Sequence, residues 1–221
     1  MLEMKNVVYS YKQSRGKKKQ IFTNANYTFE KGKVYTLFGS SGAGKTTCLS
    51  LLGGLEKPES GEILLDGKNI KDIGYNKLRR EYVSYVFQDY HLFPYMNAVE
   101  NLLVVVKNAK EKRNRKKQCQ EVLEKLGIEK NDQNRIVTQL SGGQQQRVAI
   151  GRAIIANADY ILADEPTGNL DEKNTKKIMD ILLSLAHDHG KCVIVVTHSS
   201  YVKDMSDICY SINQENKDEN I

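Results

Sequence analysis

A glycine-rich run, GSSGAGKTT, occupies residues 39–47 and directly follows the apolar run VYTLF. Its glycines, lysine and threonine satisfy the complete G-x-x-x-x-G-K-[ST] pattern, in which glycines let backbone N–H groups converge on phosphate oxygens. A helix that begins here adds its N-terminal dipole, Lys45 offsets phosphate charge, and the Thr46 hydroxyl suits Mg²⁺. The predicted phosphate-binding residues are Gly39, Ser40, Ser41, Gly42, Ala43, Gly44, Lys45, Thr46 and Thr47.

Two adjacent acidic residues, Asp164 and Glu165, follow the apolar run YILA. Open α/β sheets place ligand chemistry at the carboxyl ends of their strands, so we expect both carboxylates beside the phosphate loop. Asp164 is the predicted Mg²⁺ ligand, and Glu165 is the predicted general base that polarises an attacking water. Alone, this pattern also describes a strand that meets a solvated turn; beside a phosphate loop it indicates phosphoryl-transfer chemistry.

The segments that must position these groups predict an α/β fold. Four short runs have the continuous hydrophobicity of parallel strands that are covered on both faces: VYTLF, YVSYVF, DYILAD and CVIVVTH. Helices are predicted around them over residues 46–52, 115–126, 142–157 and 173–188. This alternation favours a parallel sheet with helices packed against it.

Two further regions lie outside this alternation. Residues 2–11, 21–29 and 61–66 are predicted to be strands of an antiparallel sheet, the first two joined by the turn QSRGKKK. Residues 90–138 carry no convincing buried strand, which predicts a helical insertion over about residues 89–158. We therefore expect one domain, residues 1–221, with a tail at residues 213–221 that frays.

Composition narrows the class of protein. The 221 residues are 40% hydrophobic, and no run has the length of a signal peptide or membrane span, so we expect a soluble cytoplasmic protein. The net charge of +6 comes largely from clusters at residues 17–19 and 113–117, which we expect to be solvated; anionic lipid or nucleic acid is the alternative. Free thiols are expected at Cys48, Cys119, Cys192 and Cys209, which form no CxxC pair.

The string LSGGQQQR, residues 140–147, lies between the two motifs and resembles the signature of the ABC ATPases. Other elements of that family stand in the family's order: Tyr11, Gln88 in YVFQ, DEPTGNLD with Asp171, and His198 in VVTHSS. The resemblance spans nearly the whole chain. It implies a phosphate-loop NTPase of the ABC cassette type that hydrolyses ATP to ADP and phosphate, with a RecA-like parallel-sheet core, an N-terminal antiparallel β subdomain and a helical subdomain.

The resemblance also implies roles for single residues. Tyr11 would stack on adenine, with Tyr9 as a rival, and His198 would contact the γ-phosphate and position water. Gln88 would contact both Mg²⁺ and the attacking water. The catalytic set is then Glu165, His198 and Gln88, and the residues around the metal are Thr46, Gln88 and Asp164.

A second copy of the chain would complete each ATP site. Ser141 and the residues after it stand at a predicted helix start, where donors can face an anion, although Ser141 alone is equally a simple helix N-cap. Asp171 resembles the aspartate of a loop that crosses the dimer interface and is also an N-terminal helix charge. The residues expected to reach the partner's nucleotide are Ser141, Gly142, Gly143, Gln144 and Asp171.

Three longer strings are FQDYHLFPYMNAVENL, LSGGQQQRVAI and DEPTGNLD. Together they resemble one group within the family, the ATPases that serve lipoprotein release, macrolide efflux and antimicrobial-peptide resistance. This implies an ATPase at the cytoplasmic face of the cell membrane that drives export or extraction of a peptide, lipoprotein or drug through a separate permease docked near residues 88–103.

The alternative is a non-transport ATPase that regulates a membrane partner in cell division or envelope remodelling. No specific nucleic acid is expected as a partner, because the basic residues lack aromatic interleaving. The sequence departs from the family at Gly151, where alanine is usual, and in the tail YSINQENKDENI, which lacks the usual glycine turn and closing strand.

Overall fold

The computed structural model describes residues 1–12, 17–106 and 112–212, whose strands form two sheets. In chain order the strands are β1 (Leu2–Lys12), β2 (Lys18–Phe29), β3 (Lys33–Phe38), β4 (Ser60–Leu65), β5 (Lys68–Asn69), β6 (Val83–Val86), β7 (Tyr160–Asp164), β8 (Cys192–Thr197) and β9 (Ile208–Ser211). The first sheet has the order β2-β1-β4-β5 and is antiparallel. The second has the order β6-β7-β8-β3-β9 and is parallel.

Helices lie between the strands. In chain order they are α1 (Lys45–Leu52), α2 (Ile70–Ile73), α3 (Tyr75–Glu81), α4 (Ala98–Leu103), α5 (Lys112–Lys125), α6 (Lys130–Gln133), α7 (Gly142–Ile155), α8 (Glu172–His187) and α9 (Ser200–Met205), and a 3₁₀ turn lies at Val137–Gln139. The four predicted helices correspond to α1, α5, α7 and α8, with ends that differ by at most three residues.

The parallel sheet is covered on both faces, as its apolar runs predict. Successive strand residues point to opposite faces, so Leu162 and Ile194 join a core with α1 and the antiparallel sheet, whereas Ile161 and Val193 join a core with α7 and α8. Strands β7 and β8 are buried along their entire lengths. The carboxyl ends of β3, β7 and β8 are therefore held side by side.

The antiparallel sheet places one end of its first hairpin, at Tyr11 and Lys19, beside the residues of the phosphate loop. Tyr11 on β1 pairs with Lys19 on β2, and Leu2 pairs with both Phe29 and Leu65. Asp66 and Gly67 form the turn into β5, both with positive φ, as a two-residue hairpin turn requires.

Residues between β6 and β7 build a separate helical cluster. Its core is apolar and combines α4, α5, α7 and the 3₁₀ turn: Ala98, Val99, Leu102, Cys119, Leu123, Ile128, Val137, Leu140 and Val148. Gly151 on α7 lies against this cluster, and a Cβ there would be 3.0 Å from Leu126 Cδ1. The glycine at the position where the family usually has alanine thus permits close helix packing.

Several elements were not predicted from the sequence. The short strand β9 pairs with the free edge of β3 through Tyr35↔Ile208 and Leu37↔Tyr210. The tail YSINQENKDENI, which is expected to lack a glycine turn and closing strand, begins inside β9 at Tyr210. Residues 213–221, expected to fray, lie outside the described residues, as does part of the predicted turn QSRGKKK.

The cysteines are free, as predicted, with Cys48, Cys119 and Cys192 buried. Burial raises the pKa of the Cys119 thiol to about 11 and that of Cys192 to about 12, so both are protonated at neutral pH. Over the described parts of the chain, no helix combines the length and apolar character that crossing a bilayer requires.

Candidate active site

The phosphate loop lies between the end of β3 and the start of α1. Gly44 has φ +108, and a Cβ at that position would come within 2.6 Å of Ile21 Cγ2 on β2. Lys45 is buried, and its Nζ donates hydrogen bonds to the carbonyl oxygens of Gly39 at 2.7 Å and Ser40 at 2.9 Å. The ammonium group is thus held inside the curve of the loop, where a phosphate group would lie.

Asp164 is positioned at the last residue of β7 beside this loop. The residue is 5% exposed, and its Oδ1 has no hydrogen-bond partner among the described residues. Burial raises the pKa of Asp164 and Glu165 adds to the rise, while a hydrogen bond from Thr46 and the charge of Lys45 oppose it. A buried, unpaired carboxylate oxygen next to a threonine hydroxyl suits a hard divalent cation.

Glu165 follows Asp164 in a left-handed backbone conformation with φ 47. Its N–H donates to Val196 O at 3.0 Å, and its carbonyl accepts from Gly168 N at 3.2 Å. Its carboxylate lies 2.8 Å from Nδ1 of His198 and accepts a hydrogen bond from the Thr197 hydroxyl at 3.2 Å. Since non-glycine residues seldom adopt positive φ, this backbone is held by its surroundings, which fixes the direction of the carboxylate.

The two tyrosines proposed for adenine stacking have different surroundings. Tyr11 is 40% exposed and its hydroxyl is 3.2 Å from Thr47 Oγ1 of α1, whereas Tyr9 is 6% exposed. The rings touch edge to face, with centroids 5.1 Å apart. Of the two, Tyr11 has the ring face available to a base.

One cavity of about 610 Å³ joins these groups. Most of its wall consists of predicted site residues: Tyr11, Ser41, Gly42, Gly44, Lys45, Thr46, Thr47, Gln88, Asp164, Glu165 and His198. Lys19, Ile21 and Val196 complete the wall. Gly39, Ser40 and Ala43 build the loop behind it, and Ala43 is buried.

The remaining predicted residues lie elsewhere. Within the described parts of the chain, the wall of this cavity includes neither residues 141–144 nor Asp171. Ser141 caps α7: its hydroxyl accepts from Gln144 N at 3.3 Å, and Gln144 Oε1 accepts from Ser141 N at 2.9 Å. Asp171 caps α8 by accepting from Asn174 N at 2.7 Å, which lowers its pKa. Within a single chain, Ser141 and Asp171 therefore both act as helix N-caps.

Sequence reasoning missed contributors to the site. Lys19, assigned to a solvated basic cluster, reaches the cavity because it pairs with Tyr11, a relationship that hairpin register could have indicated. Gln146 is fully buried on α7 and donates to Glu165 O at 3.3 Å. No sequence pattern points to that contact, since it joins segments that only the fold brings together.

These observations define the class of protein. A phosphate loop, paired carboxylates and a histidine meet at the carboxyl edge of a parallel sheet, as in a phosphate-loop ATPase. The ABC transporter family model matches residues 22–168. The chain therefore belongs to the ABC transporter ATP-binding proteins, and it is an ATP-binding ATPase of that family.

Similar proteins cover nearly the whole chain. The chain is 47% identical over 210 residues to the uncharacterized ABC transporter ATP-binding protein YclH of Bacillus subtilis, covering 94% of this chain and 91% of YclH. It is 36% identical to the lipoprotein-releasing system ATP-binding protein LolD of Treponema denticola, covering 93% and 92%.

Solved structures confirm the ABC cassette fold. A dimeric structure of the MJ0796 cassette, from Methanocaldococcus jannaschii, matches with a TM-score of 0.88 at 37% identity, over 96% of this chain and 94% of that one. A post-hydrolysis dimer of MJ0796 bound to ADP and Pi matches with a TM-score of 0.90 at 36% identity, with the same coverage.

Proposed function

We propose that the chain is the ATP-hydrolysing subunit of an exporter, which drives export or extraction of a peptide, lipoprotein or drug through a separate membrane permease. One observation carries the proposal: the cavity gathers the phosphate loop, Glu165 and His198, whereas Ser141 and Asp171 stand outside it. A second copy of the chain supplies the missing side. Solved MJ0796 dimers and the relationship to LolD support this arrangement.

Within this arrangement the nucleotide is held mainly by the chain's own loop. Backbone N–H groups of residues 39–47 and Lys45 bind the phosphates, and Tyr11 stacks on the adenine. Ser141, Gly142, Gly143, Gln144 and Asp171 of a partner copy close the site. ATP binding then favours the closed dimer, because that state binds the nucleotide better, and hydrolysis releases it.

Mg²⁺ fits the residues present. Thr46 and Asp164 hold it, with Gln88 at the cavity wall, and the ion offsets phosphate charge when bound. Glu165 polarises the attacking water as general base. His198 fixes the direction of the Glu165 carboxylate and faces the γ-phosphate. The Lys45 charge stabilises the negative charge that develops on the phosphoryl group.

The permease is proposed to dock on residues 88–103, here named the docking segment. This segment displays Tyr95, which is 92% exposed, and Phe93, which is 44% exposed. Beside it an open cavity of about 430 Å³ is lined by Phe87, three valines at residues 104–106, and Arg79, Arg80 and Arg152. Apolar surface rimmed by arginines suits an amphipathic helix with acidic flanks. Residues 89–158 act as the helical subdomain, and the chain works at the cytoplasmic face of the membrane.

The Glu165→Gln variant tests the dimer cycle. We expect it to bind MgATP, to lose about 10² to 10⁴ in kcat, and to accumulate as an ATP-bound dimer in size-exclusion chromatography with light scattering. Glu129→Gln, at an exposed residue before α6, is the matched control and remains active and monomeric after turnover. A Glu165→Gln chain that stays monomeric with saturating MgATP contradicts the proposal.

The Tyr95→Asp variant tests the permease. We expect the wild-type chain to co-purify with one membrane protein from detergent-solubilised membranes, and Tyr95→Asp to lose it while its own ATP hydrolysis is unchanged. Reconstitution of that pair in vesicles should couple hydrolysis to movement of solute or lipid-anchored cargo. Hydrolysis that activates an envelope hydrolase, with no cargo moved, would support the regulator instead.

A further inference from the structure

Tyr90 belongs to the docking segment and lies close to two other functional segments. It lies in the docking segment, two residues after Gln88. Its hydroxyl accepts a hydrogen bond from Asn169 Nδ2 at 2.9 Å. A Cβ placed on Gly142, the first residue of α7, would lie 3.3 Å from the same hydroxyl oxygen. A single side chain thus spans the space between the docking segment, α7 and the loop that follows Glu165.

The backbone at Tyr90 is firmly held. Tyr90 and His91 have φ values of 61 and 46, and non-glycine residues seldom adopt this region consecutively. Arg152 on α7 donates to both of their carbonyl oxygens, at 3.1 Å to Tyr90 and 2.7 Å to His91. Burial lowers the pKa of Arg152, so its charge is placed there at a cost that these hydrogen bonds offset. Such constrained backbones belong to segments with a specific task.

The loop at residues 165–171, here named the interface loop, carries the Tyr90 contact directly to the chemistry. It begins with Glu165 and ends with Asp171. It folds back on itself, because Gly168 N donates to Glu165 O at 3.2 Å and Leu170 N donates to Thr167 O at 3.0 Å. Only two short turns therefore connect Asn169 to Glu165 along the loop.

We propose that Tyr90 is a positioning residue whose hydroxyl, through Asn169, couples the docking segment to the interface loop and so to the Glu165 carboxylate. The inference rests on the proposed function, since it assigns Glu165 as base and residues 88–103 as the docking segment. Movement imposed on the docking segment changes the direction of the carboxylate through this hydrogen bond. Neither Tyr90 nor Asn169 contacts the cavity that holds the nucleotide.

A double-mutant cycle on the purified chain tests the pair. Tyr90→Phe and Asn169→Ala each remove the hydrogen bond, and each should lower kcat by about threefold to tenfold while KM for ATP is unchanged. The double variant should lose no more than either single variant. Tyr75→Phe, a hydroxyl removal on α3 outside all three segments, is the matched control and keeps wild-type kcat.

Rescue distinguishes positioning from a general loss of structure. Asn169→Asp should retain wild-type kcat when Tyr90 is present, because the carboxylate accepts a hydrogen bond from the tyrosine hydroxyl, and should lose it when combined with Tyr90→Phe. Wild-type kcat in Tyr90→Phe, or losses that multiply in the double variant, would overturn the inference. Glu165→Gln is assayed alongside: if it hydrolyses ATP normally, the proposed function fails, whereas an inactive Glu165→Gln beside a normal Tyr90→Phe overturns only the role of Tyr90.

Discussion

Nδ1 of His198 lies 2.8 Å from Oε1 of Glu165, although the two residues follow different strands of the parallel sheet. The carboxylate side chain is 13% exposed and the imidazole is 73% exposed. A partly buried acid is thus directed by a histidine that can still face a ligand. Neighbouring β7 and β8 make this pair possible, because their carboxyl ends lie side by side.

Removal of the imidazole should slow hydrolysis more than it weakens binding. In His198→Ala, Glu165 keeps its hydrogen bond from Thr197 but loses the group that fixes its second oxygen. We expect kcat to fall by about 10² with a small change in KM for ATP. Steady-state phosphate release measures both. His189→Ala, at an exposed residue after α8, is the control and leaves kcat unchanged; equal losses in both variants would contradict the assignment.

Substitution of the two tyrosines separates base stacking from core packing. Tyr11→Ala should weaken MgATP binding about tenfold with little change in thermal stability, because an exposed ring is lost. Tyr9→Ala should instead lower stability by about 3 kcal/mol, because a ring that is only 6% exposed leaves a cavity. Isothermal titration in the Glu165→Gln background and thermal melting give the two quantities. The opposite pattern would make Tyr9 the stacking residue.

Asp164→Asn should make the nucleotide-free protein more stable. Burial raises the pKa of Asp164, so ionisation costs stability as the pH rises through the folded-state pKa. At neutral pH the amide should gain about 1 kcal/mol, or about 2–4 °C in Tm, and the gain should shrink as the pH is lowered. MgATP should stabilise only the wild type. If the Tm of Asp164→Asn at pH 7 is below that of the wild type, burial does not make the ionised carboxylate unfavourable, and the prediction is wrong.

Asp207 should make stability depend on pH in the opposite direction. Burial opposes its ionisation, but hydrogen bonds from Val34 N at 2.7 Å and from His187 outweigh burial and lower its pKa. The lowered pKa contributes stability above the unfolded value of about 4, and this is lost as the pH falls through the folded value. Asp207→Asn should therefore cost about 1 kcal/mol near pH 7 and progressively less below about pH 4. Urea denaturation at both pH values measures this, with Asp204→Asn on α9 as the control.

Sequence patterns predicted the elements whose signals are local. The runs YILAD and CVIVVT identify β7 and β8 because strands buried on both faces are continuously apolar. Helix α4 also has a local signal in the sequence, because Asn97 and Glu100 have the spacing of the capping box that they form. Strand β9 has no comparable signal, since its residues are only partly buried and it is defined by pairing with β3.

The candidate site likewise combines residues that local motifs predict with contacts that only the fold creates. The phosphate loop, Asp164 and Glu165 follow from motifs, because each sits within a few residues of the strand that places it. The contact of Gln146 with Glu165, and that of Tyr90 with Asn169, join residues 19 and 79 positions apart, respectively. Such contacts depend on the packing of α7 against the sheet, which periodicity alone does not determine.

Gly39 belongs to the phosphate loop and also lies against the backbone of Ile212 at the end of β9. A Cβ at this residue would overlap the carbonyl oxygen of Ile212, whose N–H donates to Phe38 O at 2.8 Å. Any larger side chain would force apart the end of β9 and the start of the phosphate loop. Loss of activity in a Gly39 variant would therefore not isolate phosphate recognition. A relative that had lost all catalysis would still be under pressure to keep this glycine, so its presence alone is a poor marker of a working enzyme.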